Sequence, residues 1–248
     1  MMNQPEEQIK AAAGLIRSSR YLVAFTGAGI SVESGIPPFR GPEGLWSKYD
    51  PIVLDLDYFY RNPLESWKVI KEIFYDFFGQ ARPNAAHLAL AQLEKAGILK
   101  SIITQNIDNL HQEAGNTVVY EFHGNSRKLI CTSCGRHYAA GDVSLQALPP
   151  KCKACNNLLK PDFIFFGESI PTEAYTSSVK AAENADVFLI IGSTGEIMPA
   201  SQIPHIAKQT GAGIIEINPE TSRYTNSITD IHLKGKAAEV MQKLMTDL

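Results

Sequence analysis

The chain has 248 residues, 44% of them hydrophobic, with 23 basic against 26 acidic side chains and a formal charge of −3. That length and apolar share suit one large domain with a smaller insertion and a sizeable core. The charge removes any global electrostatic case for nucleic acid or an anionic membrane surface. No apolar run approaches the ~20 residues of a membrane span, and residues 1–10 are polar and acidic rather than a secretory core, so a cytoplasmic, reduced protein is expected. In chain order, residues 5–18 read as a helix, with Ile9, Ala12, Ala13 and Ile16 at helical spacing. Residues 21–26 read as a buried strand that runs into Gly27-Ala28-Gly29. Residues 41–79 are aromatic-rich and helix-like, broken at Pro51 and Pro63. Residues 85–96 read as a helix closed by Gly97.

Four further apolar runs each end in polar residues. Residues 99–104 lead into Gln105-Asn106-Ile107-Asp108, and 118–122 into His123-Gly124. Residues 186–191 lead into Gly192-Ser193-Thr194, and 213–217 into Asn218. A short strand at 231–233 precedes a last helix at 236–244. Strands that are continuously apolar and alternate with helices predict an α/β fold, a parallel sheet covered on both faces. Ligands then sit beyond the carboxyl ends of the strands, where these polar clusters fall.

Cys131-x-x-Cys134 and Cys152-x-x-Cys155 are the chain's only cysteines, with 17 residues between the pairs. Two such turns can close a tetrahedral S4 zinc site, structural because no coordination position stays open. Two disulfides or redox pairs are the alternatives, disfavoured without a secretory segment or a strand-to-helix setting.

Gly27-Ala28-Gly29-Ile30-Ser31 follows the first strand, where glycines let backbone approach a diphosphate at a helix N-terminus, or simply make a tight turn. The spacing is not G-x-G-x-x-G, and no acid ends a second strand about 20 residues on, which argues against a hydride-transfer enzyme. His123, at a strand end among polar strand ends, is a candidate general base. His87 and His111 read as structural. Asp108 is a helix cap or a ligand contact, and Arg40 pairs with phosphate or with a surface carboxylate.

Taken in order, Gly27-Ala28-Gly29-Ile30-Ser31, Glu33-Ser34-Gly35-Ile36-Pro37-Pro38-Phe39-Arg40-Gly41, Thr104-Gln105-Asn106-Ile107-Asp108-Asn109-Leu110-His111, His123-Gly124, the four cysteines and Phe166-Gly167-Glu168 closely resemble the sirtuin family of NAD-dependent protein deacylases. The resemblance implies a Rossmann-like domain (residues 1–40, 84–126 and 161–248) with a helical module (41–83) and a zinc module (127–160). It implies that Gly27, Ala28, Gly29, Phe39 and Arg40 line the loop closing over NAD. Ile30, Asn106, Ile107 and Asp108 would hold nicotinamide, and Gln105 the nicotinamide ribose. Gly192, Ser193 and Thr194 would lie near the diphosphate and ribose, Asn218 at the adenine ribose, and Lys236 and Ala237 beside the adenine. His123 would be the base. An acyl-lysine peptide would add as a strand along Ile164, Phe166, Gly167 and Glu168. The products would be free lysine, nicotinamide and O-acyl-ADP-ribose, with NAD consumed.

The chain departs from the family pattern at Pro38, at Ser193-Thr194-Gly195-Glu196, and in lacking the Tyr-x-x-Arg pair of desuccinylating sirtuins, so neutral acyl groups are expected. Lys68 or Lys71 could supply the missing charge. Mono-ADP-ribosyl transfer and longer acyl chains are the alternative activities. The basic run Arg127, Lys128, Arg136, Lys151, Lys153 and Lys160 reads as a solvated face rather than a nucleic-acid site.

Overall fold

The protein is described by a computed structural model covering residues 4–39, 41 and 44–248. Its strands are β1 (Leu22–Thr26), β2 (Leu99–Thr104), β3 (Val119–Glu121), β4 (Gly124–Cys131), β5 (His137–Ala139), β6 (Leu159–Phe163), β7 (Val187–Ile191), β8 (Gly213–Asn218) and β9 (Ile231–Lys234). Its helices are α1 (Gln4–Ser18), α2 (Leu56–Arg61), α3 (Pro63–Ile70), α4 (Ala85–Lys95), α5 (Leu110–Ala114), α6 (Thr172–Asn184), α7 (Ile203–Gln209) and α8 (Ala237–Thr246).

Among the described residues, six strands make one sheet in the order β3-β2-β1-β7-β8-β9, every pairing parallel. Side chains alternate across a strand, so each central strand feeds two cores. Leu22, Ala24, Ile102, Leu189 and Ile215 pack with α1, α4 and α8 on one face. Val23, Phe25, Ile103, Phe188 and Ile214 pack with α6 and α7 on the other. This double cover is why β1 and β7 are buried at every position.

A second, antiparallel sheet, β5-β4-β6, carries the cysteines. It shares a third core with the segment between β1 and α4, where Phe59, Trp67, Ile70 and Phe74 meet Leu129, Leu159, Phe163 and Phe165. The Trp67 indole N–H donates to Leu159 O at 2.8 Å, satisfying the one polar atom of a fully buried ring.

Three expectations need amendment. The helix-like stretch 41–79 is helical from Leu56 on, with α2 and α3 meeting at Pro63 as the breaks suggest, but it opens in short 3-10 turns, where the Asp50 and Asp55 side chains accept from Ile52 N and Tyr58 N. It includes a π-helical turn at Lys71–Phe77. The Gly27-Ala28-Gly29 turn enters a seven-residue 3-10 helix, Ala28–Ser34, rather than an α-helix. Helices α6 and α7 have no counterpart in the sequence reading, since Thr172–Asn184 is polar and α7 carries Pro204 in its first turn. No helix among the described residues is long and apolar enough to cross a membrane.

Candidate active site and metal centre

The carboxyl ends of β1 and β7 meet backbone to backbone. Gly29 N donates to Gly192 O at 2.9 Å. A Cβ on Gly29 would lie 2.5 Å from Gly192 Cα, and one on Gly27 2.7 Å from Gly192 O. Gly192 itself has φ +64, and a Cβ there would strike Ile30 N. No side chain fits between these loops, which leaves main chain as the lining of the cleft above them.

On the β2 side a set of hydrogen bonds ties the start of the Ala28–Ser34 helix to the residues after β2. Asn106 Nδ2 donates to Gly27 O at 3.1 Å and Ser31 Oγ at 3.2 Å. Ser31 Oγ donates to Asp108 Oδ2 at 2.7 Å, and Asp108 Oδ1 accepts from Leu110 N at 3.0 Å. Asp108 therefore satisfies the first N–H of α5, whose N-cap position is Asn109, and joins that helix to Ser31. Burial raises its pKa, opposed by these donors. Asn106 N donates to Thr104 Oγ1 at 3.0 Å, and Thr26 Oγ1 donates to the same oxygen at 2.9 Å.

Behind these bonds two imidazoles are fully enclosed. His111 Nε2 lies 2.9 Å from Thr26 Oγ1. Its ring centroid is 5.0 Å from that of His87. Asn84 N donates to His87 Nδ1 at 3.3 Å, which places the proton of a neutral His87 on Nε2. Asn84 Nδ2 donates to Ile30 O at 2.7 Å. The start of α4 is thereby tied to the Ala28–Ser34 loop. Burial pulls the His87 pKa down to about 4 and holds that of His111 well below the usual range. Both rings are buried beside the loops that carry Asn106 and Ile30.

His123 stands in the two-residue turn between β3 and β4, where the chain leaves one sheet for the other. Its Nδ1 is 3.0 Å from Gln105 O. A carbonyl only accepts, so Nδ1 carries the proton and Nε2 keeps a free lone pair. Burial lowers the ring's pKa, partly offset by that carbonyl, so the imidazole is neutral and ready to take a proton. Gly124 has φ +74 and lies against Asp162 O, so only glycine lets β4 begin here.

On the β7–β8 side Gln105 Nε2 donates to Ser193 Oγ at 2.9 Å, and Asn218 Nδ2 donates to Ser193 O at 3.1 Å. Asn218 also donates to the buried Glu216 carboxylate at 2.8 Å. Glu216 collects Ser222, Thr225 and Thr229 hydroxyls as well. The carboxylate is consumed in building the loop after β8. Thr194 and Lys236 are exposed, and Ala237, at the start of α8, is buried. Glu33 Oε2 accepts from Ala238 N at 2.6 Å and joins that start to the Ala28–Ser34 helix.

The segment after β6 runs past the base. Ile164 N donates to His123 O at 2.9 Å. Phe166 N donates to Leu54 O at 2.8 Å and Phe166 O accepts from Leu56 N at 3.1 Å. Phe166 is nonetheless 49% exposed, and Met198, from the loop after β7, is 62% exposed.

The four cysteine sulfurs lie within 4.8 Å of one another, with Cys131 Sγ–Cys155 Sγ 3.4 Å and Cys134 Sγ–Cys152 Sγ 3.8 Å. A tetrahedron of thiolates at ~2.3 Å from zinc has S···S edges near ~3.8 Å, whereas a disulfide is ~2.05 Å. The donor set fits a closed zinc site and not two disulfides. The eight-residue β4 separates Cys131 from the turn holding His123, roughly 23 Å at ~3.3 Å per residue. A metal held there would fasten the small module rather than take part in the chemistry at His123.

Thus Gly27, Gly29, Gln105, Asn106, Asp108, His123, Gly192, Ser193 and Asn218 share one network, with Ala28, Ile30 and Ile107 inside the same loops. Phe39 packs on Trp46 with ring centroids 5.4 Å apart. Arg40 lies outside the described residues. The sequence reading assigned no site role to Thr26, Thr104 or Glu216, and Lys160, expected on a solvated basic face, is instead buried, because its ammonium is enclosed by Pro161 O, Phe163 O and Glu168. A polar side chain one or two residues before a strand-end cluster is the signal that marks Thr104 and Glu216.

The Sir2 family profile matches residues 27–199. The chain is 44% identical over 240 residues to NAD-dependent protein deacylase 2 of Pyrobaculum aerophilum, covering 95% of this chain and 94% of that protein. It is 46% identical over 244 residues to the NAD-dependent protein deacylase of Thermococcus sibiricus, covering 96% and 95%. Among solved structures, a Sir2 homologue in complex with ADP-ribose superposes with TM-score 0.91 at 41% identity, over 96% of this chain and 95% of that one. A Sir2 variant with a deacetylated p53 peptide and 3'-O-acetyl-ADP-ribose gives TM-score 0.91 at 36% identity, over 96% and 98%.

Proposed function

The chain belongs to the Sir2 family, the sirtuins, and we propose that it is an NAD-dependent protein-lysine deacylase working through the network just described. Bound NAD supplies a cleavable glycosidic bond and an ADP-ribosyl acceptor for the acyl group. The chain's own residues place and deprotonate. Ile30, Asn106, Ile107 and Asp108 hold nicotinamide, Asn106 and Asp108 through its carboxamide, keeping it away from reattachment. The glycine contact of Gly27, Gly29 and Gly192 admits the diphosphate against bare main chain, with Ala28, Phe39, Arg40 and Thr194 around it. Gln105 and Ser193 hold the nicotinamide ribose, Asn218 the adenine ribose, and Lys236 and Ala237 flank the adenine. His123 accepts a proton from a ribose hydroxyl at Nε2, and the acyl group leaves as O-acyl-ADP-ribose.

The peptide lies as a strand along Ile164, Phe166, Gly167 and Glu168. Residues 1–40, 84–126 and 161–248 form the nucleotide-binding unit, with 41–83 and 127–160 as the two inserted modules. Neutral acyl groups fit best, because the segment after Trp67 lacks the Tyr-x-x-Arg pair that would hold an acidic acyl group, and Lys71, one candidate substitute, is engaged by Asp76 at 2.5 Å. A reducing compartment such as the cytoplasm suits four thiolates that hold a metal.

The observation that carries the reading is that the His123 tautomer is set by the carbonyl of Gln105, the residue next to Asn106 in the Asn106–Ser31–Asp108 network. The test is mass spectrometry of an acetyl-lysine peptide with and without NAD. Loss of acetyl only with NAD, together with nicotinamide and O-acetyl-ADP-ribose, is expected, and His123→Ala should keep NAD binding but lose turnover. Normal turnover in that variant refutes the assignment of the base.

A further inference from the structure

We propose that Lys160 is a positioning residue for the acyl-peptide. Its ammonium folds residues 161–168 into the edge the peptide pairs with, and cancels the charge of Glu168 there. The inference rests on the assignment of Ile164–Glu168 as that edge.

A buried ammonium must find an acceptor for each N–H. Lys160 is 5% exposed. It has three N–H groups and three acceptors: Pro161 O at 2.8 Å, Phe163 O at 2.7 Å and Glu168 Oε2 at 2.9 Å. The Phe165 ring covers it at 4.2 Å from the centroid. Every one of these partners lies in the next eight residues of the chain. The segment therefore wraps around its own cation.

The wrap has a second tie. Glu168 Oε2 also accepts from Phe165 N at 2.6 Å, and Glu168 N donates to Phe165 O at 3.0 Å. Gly167, with φ +92, makes the turn between them. Glu168 is thus held to the turn with its charge compensated. An unpartnered carboxylate in its place would face the peptide and select for basic neighbours of the acyl-lysine. None of the Lys160 contacts reaches Asn106, Asp108, Ser193 or Asn218. The effect of losing it should fall on the peptide and spare NAD.

The experiment compares Lys160→Met, Lys160→Arg and Gly167→Val in the full chain. Steady-state KM is measured for two acetyl-lysine peptides, one flanked by Arg and one by Glu, alongside the NAD dissociation constant without peptide. Lys160→Met should raise peptide KM about tenfold, the scale of displacing a binding segment by a fraction of an ångström. It should also favour the Arg-flanked peptide, while NAD affinity stays within about twofold. Lys160→Arg keeps the cation and should recover most of the peptide KM even if Lys160→Met folds poorly. If Gly167→Val raises peptide KM and Lys160→Met leaves both KM and peptide preference unchanged, the role of Lys160 is refuted. If Lys160→Met weakens NAD and both peptides alike and Lys160→Arg does not restore them, the residue is structural and the proposal also fails. If Gly167→Val itself leaves peptide KM unchanged, the edge assignment is wrong, and the inference falls with it.

Discussion

Acid should loosen this protein through His87, and the size of the effect follows from its burial. The ring is 0% exposed, its Nδ1 is occupied by Asn84 N, and its Nε2 has no partner. Burial pulls its pKa from 6.5 to about 4. Above pH 6.5 neither the native nor the unfolded state binds the proton. Below it the unfolded chain takes one up and the native chain does not, so stability falls with pH until about 4 and then levels off. At 1.36 kcal/mol per pH unit the full loss is about 3 kcal/mol, with roughly 2 kcal/mol gone by pH 5. In a chain of this length that is a fall of about 4–8 °C in Tm. The assay is thermal unfolding at pH 7.5 and pH 5 for the parent chain and His87→Leu. The variant loses packing and the Asn84 contact at both pH values, so only the difference between them is read. That difference should shrink by several degrees in His87→Leu. Histidine NMR that shows His87 protonating near pH 6.5, or equal pH differences in the two proteins, would refute the reasoning. His111, shifted the same way by burial and by His87 beside it, adds in the same direction.

The base has its own signature. Because burial lowers the His123 pKa, the acid limb of kcat/KM should have its midpoint below 6.5; a limb centred above 6.5 would contradict the environment described. Cys152→Ser should release zinc and lower Tm, since metal binding in such a site is folding energy; full zinc stoichiometry with unchanged Tm would show that the sulfur cluster holds no ion. Gly29→Ala forces a Cβ to 2.5 Å from Gly192 Cα. It should cost about 1–3 kcal/mol of stability and weaken NAD binding, read by calorimetry; unchanged affinity would mean the glycine contact does not line the cofactor cleft.

Much of this protein was legible one strand at a time. Short, β-branched-rich apolar runs bounded by turn residues read as strands covered on both faces, so the parallel sheet and the polar tips of β1, β2, β7 and β8 follow from local pattern. Cysteine spacing identifies the metal module because two thiolates three residues apart point the same way. Asn106, Asp108 and His123 could be singled out because strand ends are where a parallel sheet exposes its loops. Tertiary structure alone decided the rest. Thr26, Thr104 and His111 are distant in sequence and become one hydrogen-bonded chain only when β1 and β2 pair in register. Lys160 read as part of a basic surface run. It is instead buried, because Phe163, Phe165 and Glu168 return over it, and a charge count does not register who returns over whom. The short turns and helices of 41–79 share a core with the zinc sheet. Periodicity reports which side of an element is apolar; it does not report what that side meets.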